Sequence, residues 1–164
     1  MKAPRLHEDP ARTTPHGLIR YASEFYAAAV AVDDSLDKKQ GYEIFAPVPV
    51  MFLAGQSIEL SLKAFLLAKG IDLRALRLQY GHKLSSSLQR AKKLGLGDIV
   101  VLTDTDESAI AVLDPLYSSK QLQYIITGVK TYPIFGPLEE ATRKLLEAVA
   151  VFVDYPPHRL PHVP

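Results

Sequence analysis

Residues 49–94, PVMFLAGQSIELSLKAFLLAKGIDLRALRLQYGHKLSSSLQRAKKL, carry the reading on which the rest of the chain turns. From Met51 to Lys69 there is no proline and a single glycine. About 19 residues rising 1.5 Å each make a helix of about 28 Å, enough to span a small domain. Leucine, isoleucine and phenylalanine take most of its circumference, including Phe52, Ile58, Leu60, Leu62, Phe65 and Leu66. A helix apolar on most sides belongs at the centre of a fold. Its polar residues are grouped: Gln56, Glu59 and Lys63 share an arc of roughly 60°, while Ala54, Ser57, Ser61, Ala64 and Ala68 share another that lets a neighbouring helix approach closely. Glu59 and Lys63, in the favourable i, i+4 order, are expected to be half-buried together, so that removing one strands the other. Gly70 supplies a stop, and Ile71–Tyr80 is a turn or short helix rich in arginine and leucine. Gly81-His82-Lys83-Leu84 then opens a second helix, with Leu84, Leu88, Ala91 and Leu94 on one face and Lys92 and Lys93 in its last turn, complementing the helix dipole.

Toward the N-terminus, Thr14-Pro15 is an N-cap followed by a first-turn proline. Leu18, Ala22, Phe25, Ala29, Val32 and Leu36 form an amphipathic stripe with Tyr21 and Tyr26 beside it. Gly41, Pro47 and Pro49 make 38–49 a connection, which Phe45 and Val48 are expected to pack down. Ser85, Ser86 and Ser87 are read as caps for the helix after His82. Toward the C-terminus, Asp104-Thr105-Asp106-Glu107 resembles a capping box, and Ile110, Leu113, Leu116 and Tyr117 give another stripe. Pro115 is expected to kink or restart that helix with Asp114 as the new cap; Leu122–Ile126 is either its end or an extended piece. Pro137 opens a last helix, with Glu139 and Glu140 in its first turn and Leu138, Ala141, Leu145, Ala148 and Phe152 on its apolar face. The fold class expected is all-α, an up-and-down bundle of four to five helices. Residues 1–13 form a flexible arm, 14–155 a single bundle domain and 156–164 a proline-rich tail.

With 164 residues and 48% hydrophobic content, one core is the expectation. The absence of cysteine excludes disulfides and thiolate metal sites. The opening decapeptide is polar and broken by proline, unlike a signal peptide. Gln56, Glu59 and Lys63 interrupt the one helix of membrane-spanning length, so a cytoplasmic protein without a membrane partner is expected. Net charge is only +1, yet its distribution is uneven. Between Lys63 and Lys93 eight basic residues face Asp72 alone, whereas Asp98–Asp114 holds five acids and no lysine or arginine. These runs are either ordinary solvated or docking faces or a phosphate-facing patch beside an acidic one.

The five histidines, His7, His16, His82, His158 and His162, make no zinc-binding pair, and no Gly-x-Ser-x-Gly elbow or phosphate loop is present. No metal and no cofactor are expected.

The combination Ser57-Ile58-Glu59-Leu60-Ser61-Leu62-Lys63-Ala64-Phe65-Leu66, a glycine-ended helix and Gly81-His82-Lys83-Leu84 resembles the HEPN family of small all-helical domains, over roughly residues 17 to 153. The resemblance implies a helical bundle, commonly dimeric, and in active members a metal-independent RNA-cleaving site. That site is an arginine, four to six residues, then a histidine, late in the chain and shared across a dimer. This chain departs from it, with no arginine around Gln121-Leu122-Gln123-Tyr124. The one match in spacing, Arg77 to His82, lies after the central helix instead. The expectation is therefore a catalytically inactive HEPN-like homodimer binding a nucleotide, RNA or protein partner, a nucleotidyltransferase among them, through Glu59, Lys63, Arg77, His82 and Lys83. Glu59 would orient Lys63, while Lys63, Arg77 and Lys83 meet phosphate. The alternatives are a ribonuclease using His82 and Arg77 as its catalytic pair, and a purely structural interaction module.

Overall fold

A computed structural model describes residues 9–41, 46–124 and 126–160. Every regular element among them is helical. The described residues include six α-helices, α1 (Pro15–Leu36), α2 (Val48–Ala68), α3 (Leu73–Ala75), α4 (Leu84–Lys93), α5 (Asp104–Ser118) and α6 (Phe135–Phe152). The expected four to five are exceeded because the arginine-leucine segment contains a helical turn, α3, that widens directly into a π-helical stretch, Leu76–Tyr80. The outer part of the expected arm, Phe45 and the last residues of the proline-rich tail lie outside the described residues.

Helix α2 is the axis of the bundle and packs against α1, α4, α5 and α6. Ile58, Leu62, Phe65 and Leu66 are completely enclosed, as are the small residues Ser57, Ser61 and Ala64 that let its neighbours close in. Its end follows from Gly70, whose positive φ of 90° allows the N–H groups of Gly70 and Ile71 to bond back to Leu67 and Leu66. At the start, Pro49 sits in the first turn, where its missing N–H costs nothing, and Val48 is exposed instead of packing the connection down.

Helix α1 begins as expected, with the Thr14 hydroxyl accepting from the Gly17 N–H at 3.1 Å. Its buried line is Ile19, Ala22, Tyr26 and Ala29: Ala22 and Ala29 lie on the expected stripe, Ile19 and Tyr26 stand one residue on from Leu18 and Phe25, and Tyr21 faces solvent. The Tyr26 hydroxyl donates to Glu139, tying α1 to α6, and His16 reaches the carbonyl of Val153 at 2.6 Å, so the start of α1 is held to the end of α6. Helix α6 begins two residues before Pro137, which moves Glu139 and Glu140 out of its first turn.

The start of α5 is a capping box displaced by one residue from the expected one. Thr103 caps the Asp106 N–H, and the Asp106 carboxylate accepts from the Thr103 N–H and from Lys144 on α6. Pro115 does not restart the helix. Lying in its last turn, it forfeits only one backbone bond, at the exposed Ala111. Helix α5 stops at Ser118 because Lys120 adopts φ 61°, and the Gln121 N–H bonds back to Leu116; the described residues 122–124 form turns, neither the end of α5 nor an extended piece, and Ile125 lies outside the described residues. Asp114 instead caps a different helix: its Oδ1 accepts the Leu84 N–H at 2.8 Å, closing the open start of α4. The serines read as caps for α4 have no such role, and Ser87 donates its hydroxyl to the Lys83 carbonyl. Asp114→Ala should therefore cost about 0.5–2 kcal/mol, the usual loss for an N-cap. A urea midpoint unchanged from the parent protein would show that this cross-helix cap contributes nothing.

The basic and acidic runs meet within the chain. Lys92 on α4 pairs with Glu107 on α5 at 2.6 Å, and Lys69 lies over the rings of Phe65 and Phe152. Part of the local charge is thus spent on internal packing.

Candidate polar site on the central helix

Glu59 sits halfway along α2 and is only 4% exposed. A buried carboxylate is costly unless its oxygens are bonded and its charge is met. Here both conditions hold. Lys63, one turn further along α2, donates to Oε1. Oε2 faces His82 Nδ1 at 3.0 Å and accepts from the Tyr117 hydroxyl at 2.5 Å. Burial alone would push the Glu59 carboxyl up. The hydrogen bond from His82 and the charge and hydrogen bond of Lys63, with a further bond from Tyr117, outweigh burial and hold the carboxyl below its ordinary range. Tyr117 moves the other way, its phenol pushed far up by burial and then by the adjacent Glu59 charge, so it remains a neutral donor.

Each partner reaches Glu59 for a local reason. Lys63 is placed by helical spacing. His82 follows the π-helical stretch, whose last bond runs from the Gly81 N–H to Leu76 O. Gly81 then takes φ 48° and ψ −117°, a backbone state open to glycine and strained for other residues. That reversal turns His82 back onto α2. Tyr117 comes from the last turn of α5 and lies along α2, its ring against Gly55 and its hydroxyl one turn on at Glu59. Phe52 and His82 flank the ring, both with centroids 6.3 Å away.

An ionised carboxylate only accepts hydrogen bonds, so the His82 Nδ1 carries a proton. The other nitrogen, Nε2, remains for a ligand on a side chain that is 47% exposed. An ammonium has three donors, of which Glu59 uses one at Lys63. Both residues border a cleft of about 390 Å³ between α1, α2 and the 73–82 segment. Arg77 borders it as well, Leu18, Leu60, Leu73 and Leu76 form most of its wall, and no acidic residue among those described lines it. A groove of about 420 Å³ between α1 and Arg159 is as large, but its charges include the mutually paired Arg20 and Glu24, 3.1 Å apart.

Four of the five residues expected to form a site, Glu59, Lys63, Arg77 and His82, are thus brought to one place. Lys83 is not. It occupies the N-cap position of α4 with its side chain exposed and outside the cleft lining. Tyr117 and Gly55 are additional. Tyr117 lies 58 residues from Glu59 in the chain, and its apolar neighbours Leu113 and Leu116 make it look like ordinary core. Among the described residues no three histidine, aspartate or glutamate side chains converge as metal ligands would. No family model, no characterised protein and no solved structure matches this chain.

Proposed function

We propose that the chain is a catalytically inactive, HEPN-like dimeric domain of the cytoplasm that binds a phosphate-bearing ligand, a nucleotide or RNA, at Lys63, Arg77 and His82. The observation that carries this reading is the buried Glu59, which holds Lys63 and His82 side by side at the edge of a cleft that no acid among the described residues lines. Side chains fixed before the ligand arrives lose little freedom on meeting phosphate. The homodimer and the nucleotidyltransferase-type partner follow from the family resemblance. Helix α2 is long and apolar enough to cross a membrane, but 67% of its most apolar window is enclosed by the other helices, which supports a core role.

The hydrogen bond from His82 to Glu59 favours a second reading as a ribonuclease. A carboxylate that orients an imidazole prepares it for general acid or base work, and Arg77 on the same cleft would stabilise a phosphorane. The inactive reading is preferred because transfer without a metal needs both an acid and a base. Among the described residues one imidazole and no carboxylate line the cleft, and Lys63 gives one of its donors to Glu59.

The test is thermal denaturation with AMP, ATP and a short RNA at low and high salt. Binding to the folded state should raise the melting temperature at low salt, and the rise should shrink as salt screens the contacts. It should also be lost in His82→Ala. No shift at any salt would leave the interaction-module reading in its place. RNA cleavage in EDTA that disappears in a folded His82→Ala variant would replace the inactive reading with the enzymatic one.

A further inference from the structure

The cleft beside Lys63 and His82 has walls unlike those of a nucleobase site. Among the described residues no phenylalanine, tyrosine or tryptophan lines it, so the flat surface it offers a base is limited to the His82 imidazole and the Arg77 guanidinium. Among the described residues no asparagine, glutamine or carboxylate lines it either, and beyond Lys63, Arg77 and His82 the polar contribution comes from Thr13 and the Gly81 turn. A base pushed into this space would leave most of its ring nitrogens and exocyclic groups unpaired, which is costly away from water. Leu18, Leu60, Leu73 and Leu76 instead form an aliphatic surface drawn from α1, α2 and the segment that follows α2. The first three are only half-buried, so covering them would remove further apolar area from water. On both walls a leucine stands about one helical turn from a cation, Leu60 before Lys63 and Leu73 before Arg77. The volume of about 390 Å³ lies in the range of small-molecule sites.

We infer that the cleft takes a soluble amphiphilic anion, a single aliphatic chain carrying one phosphate or carboxylate head, with the chain on the leucine wall and the head at Lys63, Arg77 and His82. This deepens the phosphate-binding reading above and rests on it for the head group. A nucleotide would then place only its phosphate here and leave its base outside.

The test is titration calorimetry of the full chain with inorganic phosphate, AMP, and butyl, hexyl and octyl phosphate below the concentration at which they self-associate. Octanoate, octanol and phosphatidylglycerol vesicles complete the set. Burial of a methylene is worth roughly fourfold in affinity when complete, so a half-open cleft should give about two- to fourfold tighter binding per methylene. Octanoate should bind and octanol should bind far more weakly. Leu73→Gln, its fold checked by circular dichroism, should bring octyl phosphate down to the affinity of butyl phosphate. Octyl phosphate no tighter than inorganic phosphate or AMP would overturn the aliphatic chain and leave the phosphate site standing. Failure of every phosphate to bind would remove the phosphate reading and this inference together. Octanol equal to octyl phosphate, or binding to vesicles alone, would overturn the soluble amphiphilic anion.

Discussion

Glu59→Gln should lower stability by about 3 kcal/mol, because it removes the one charge that three donors from three segments are folded around. For a chain of this size, 1 kcal/mol moves the melting temperature by roughly 2–4 °C, so a drop of about 6–12 °C is expected. Glutamine keeps the shape and one acceptor oxygen, and so isolates the loss of charge from the loss of packing. The partners should rank by burial. Tyr117→Phe deletes a buried donor to a carboxylate and should cost about 1.5–3 kcal/mol. His82→Ala should cost under about 1 kcal/mol, since its side chain is nearly half exposed and solvent screens the contact. A melting temperature within about a degree of the parent for Glu59→Gln would remove the carboxylate from the centre of the fold.

Acid should erase the same difference. The folded-state value of Glu59 lies below its ordinary 4.5, so ionised Glu59 stabilises the folded form above that pH. The contribution fades as pH falls from 4.5 through the folded value. The gap between parent and Glu59→Gln, full at neutral pH, should therefore narrow progressively below pH 4.5. Asp106, 2% exposed, adds to the acid sensitivity of both proteins. Burial raises its carboxyl, but the bonds from Lys144 and Thr103 outweigh that and hold it low. Parent and variant should thus both lose stability in acid while their difference shrinks. A gap that widened below pH 4.5 would contradict the assignment of Glu59 as the ionised member.

The contacts legible from sequence were those set by helical spacing or by a glycine. Glu59 and Lys63 are one turn apart, and Gly81 marks where the chain reverses to present His82. Helix α2 was legible because an apolar residue on nearly every face leaves only a central position. Where two adjacent faces are both apolar, periodicity does not choose between them. On α1 the pairs Leu18 with Ile19 and Phe25 with Tyr26 each offer two registers, and contact with α2 and α6 selects the second. The same limit applies to Asp114. Local chemistry pairs it with Pro115, but the open end of α4 competes for its carboxylate and wins. Lys83 was grouped with His82 by adjacency in sequence, whereas its place as the N-cap of α4 leaves it outside the cleft lining that His82 joins. Partners 58 residues apart, such as Glu59 and Tyr117, leave no periodic signature at all.

Gly55 offers the sharper test of how Tyr117 is seated. In the middle of an exposed helix, glycine to alanine stabilises by about 1 kcal/mol through backbone entropy. Here a Cβ on residue 55 would stand 2.5 Å from Cδ2 and 2.7 Å from Cε2 of the Tyr117 ring, far inside van der Waals contact. The ring has little room to yield, since Phe52 and His82 flank it and its hydroxyl is bonded to Glu59. Overpacking of this kind costs about 1–3 kcal/mol, and at so short a distance the upper end applies. After the entropic gain, Gly55→Ala should destabilise by about 2 kcal/mol and loosen Tyr117 from the carboxylate. The sign should invert once the ring is gone. Tyr117→Ala alone should cost about 3–5 kcal/mol, tolerable within a typical stability of 5–15 kcal/mol. In that background Gly55→Ala meets open space and should stabilise by about 1 kcal/mol. The double-mutant cycle, read from urea unfolding, should therefore return a coupling of about 3 kcal/mol, the upper range for residues in direct contact. A substitution at Gly55 with the same effect in both backgrounds would mean that the ring does not lie where Glu59 requires it.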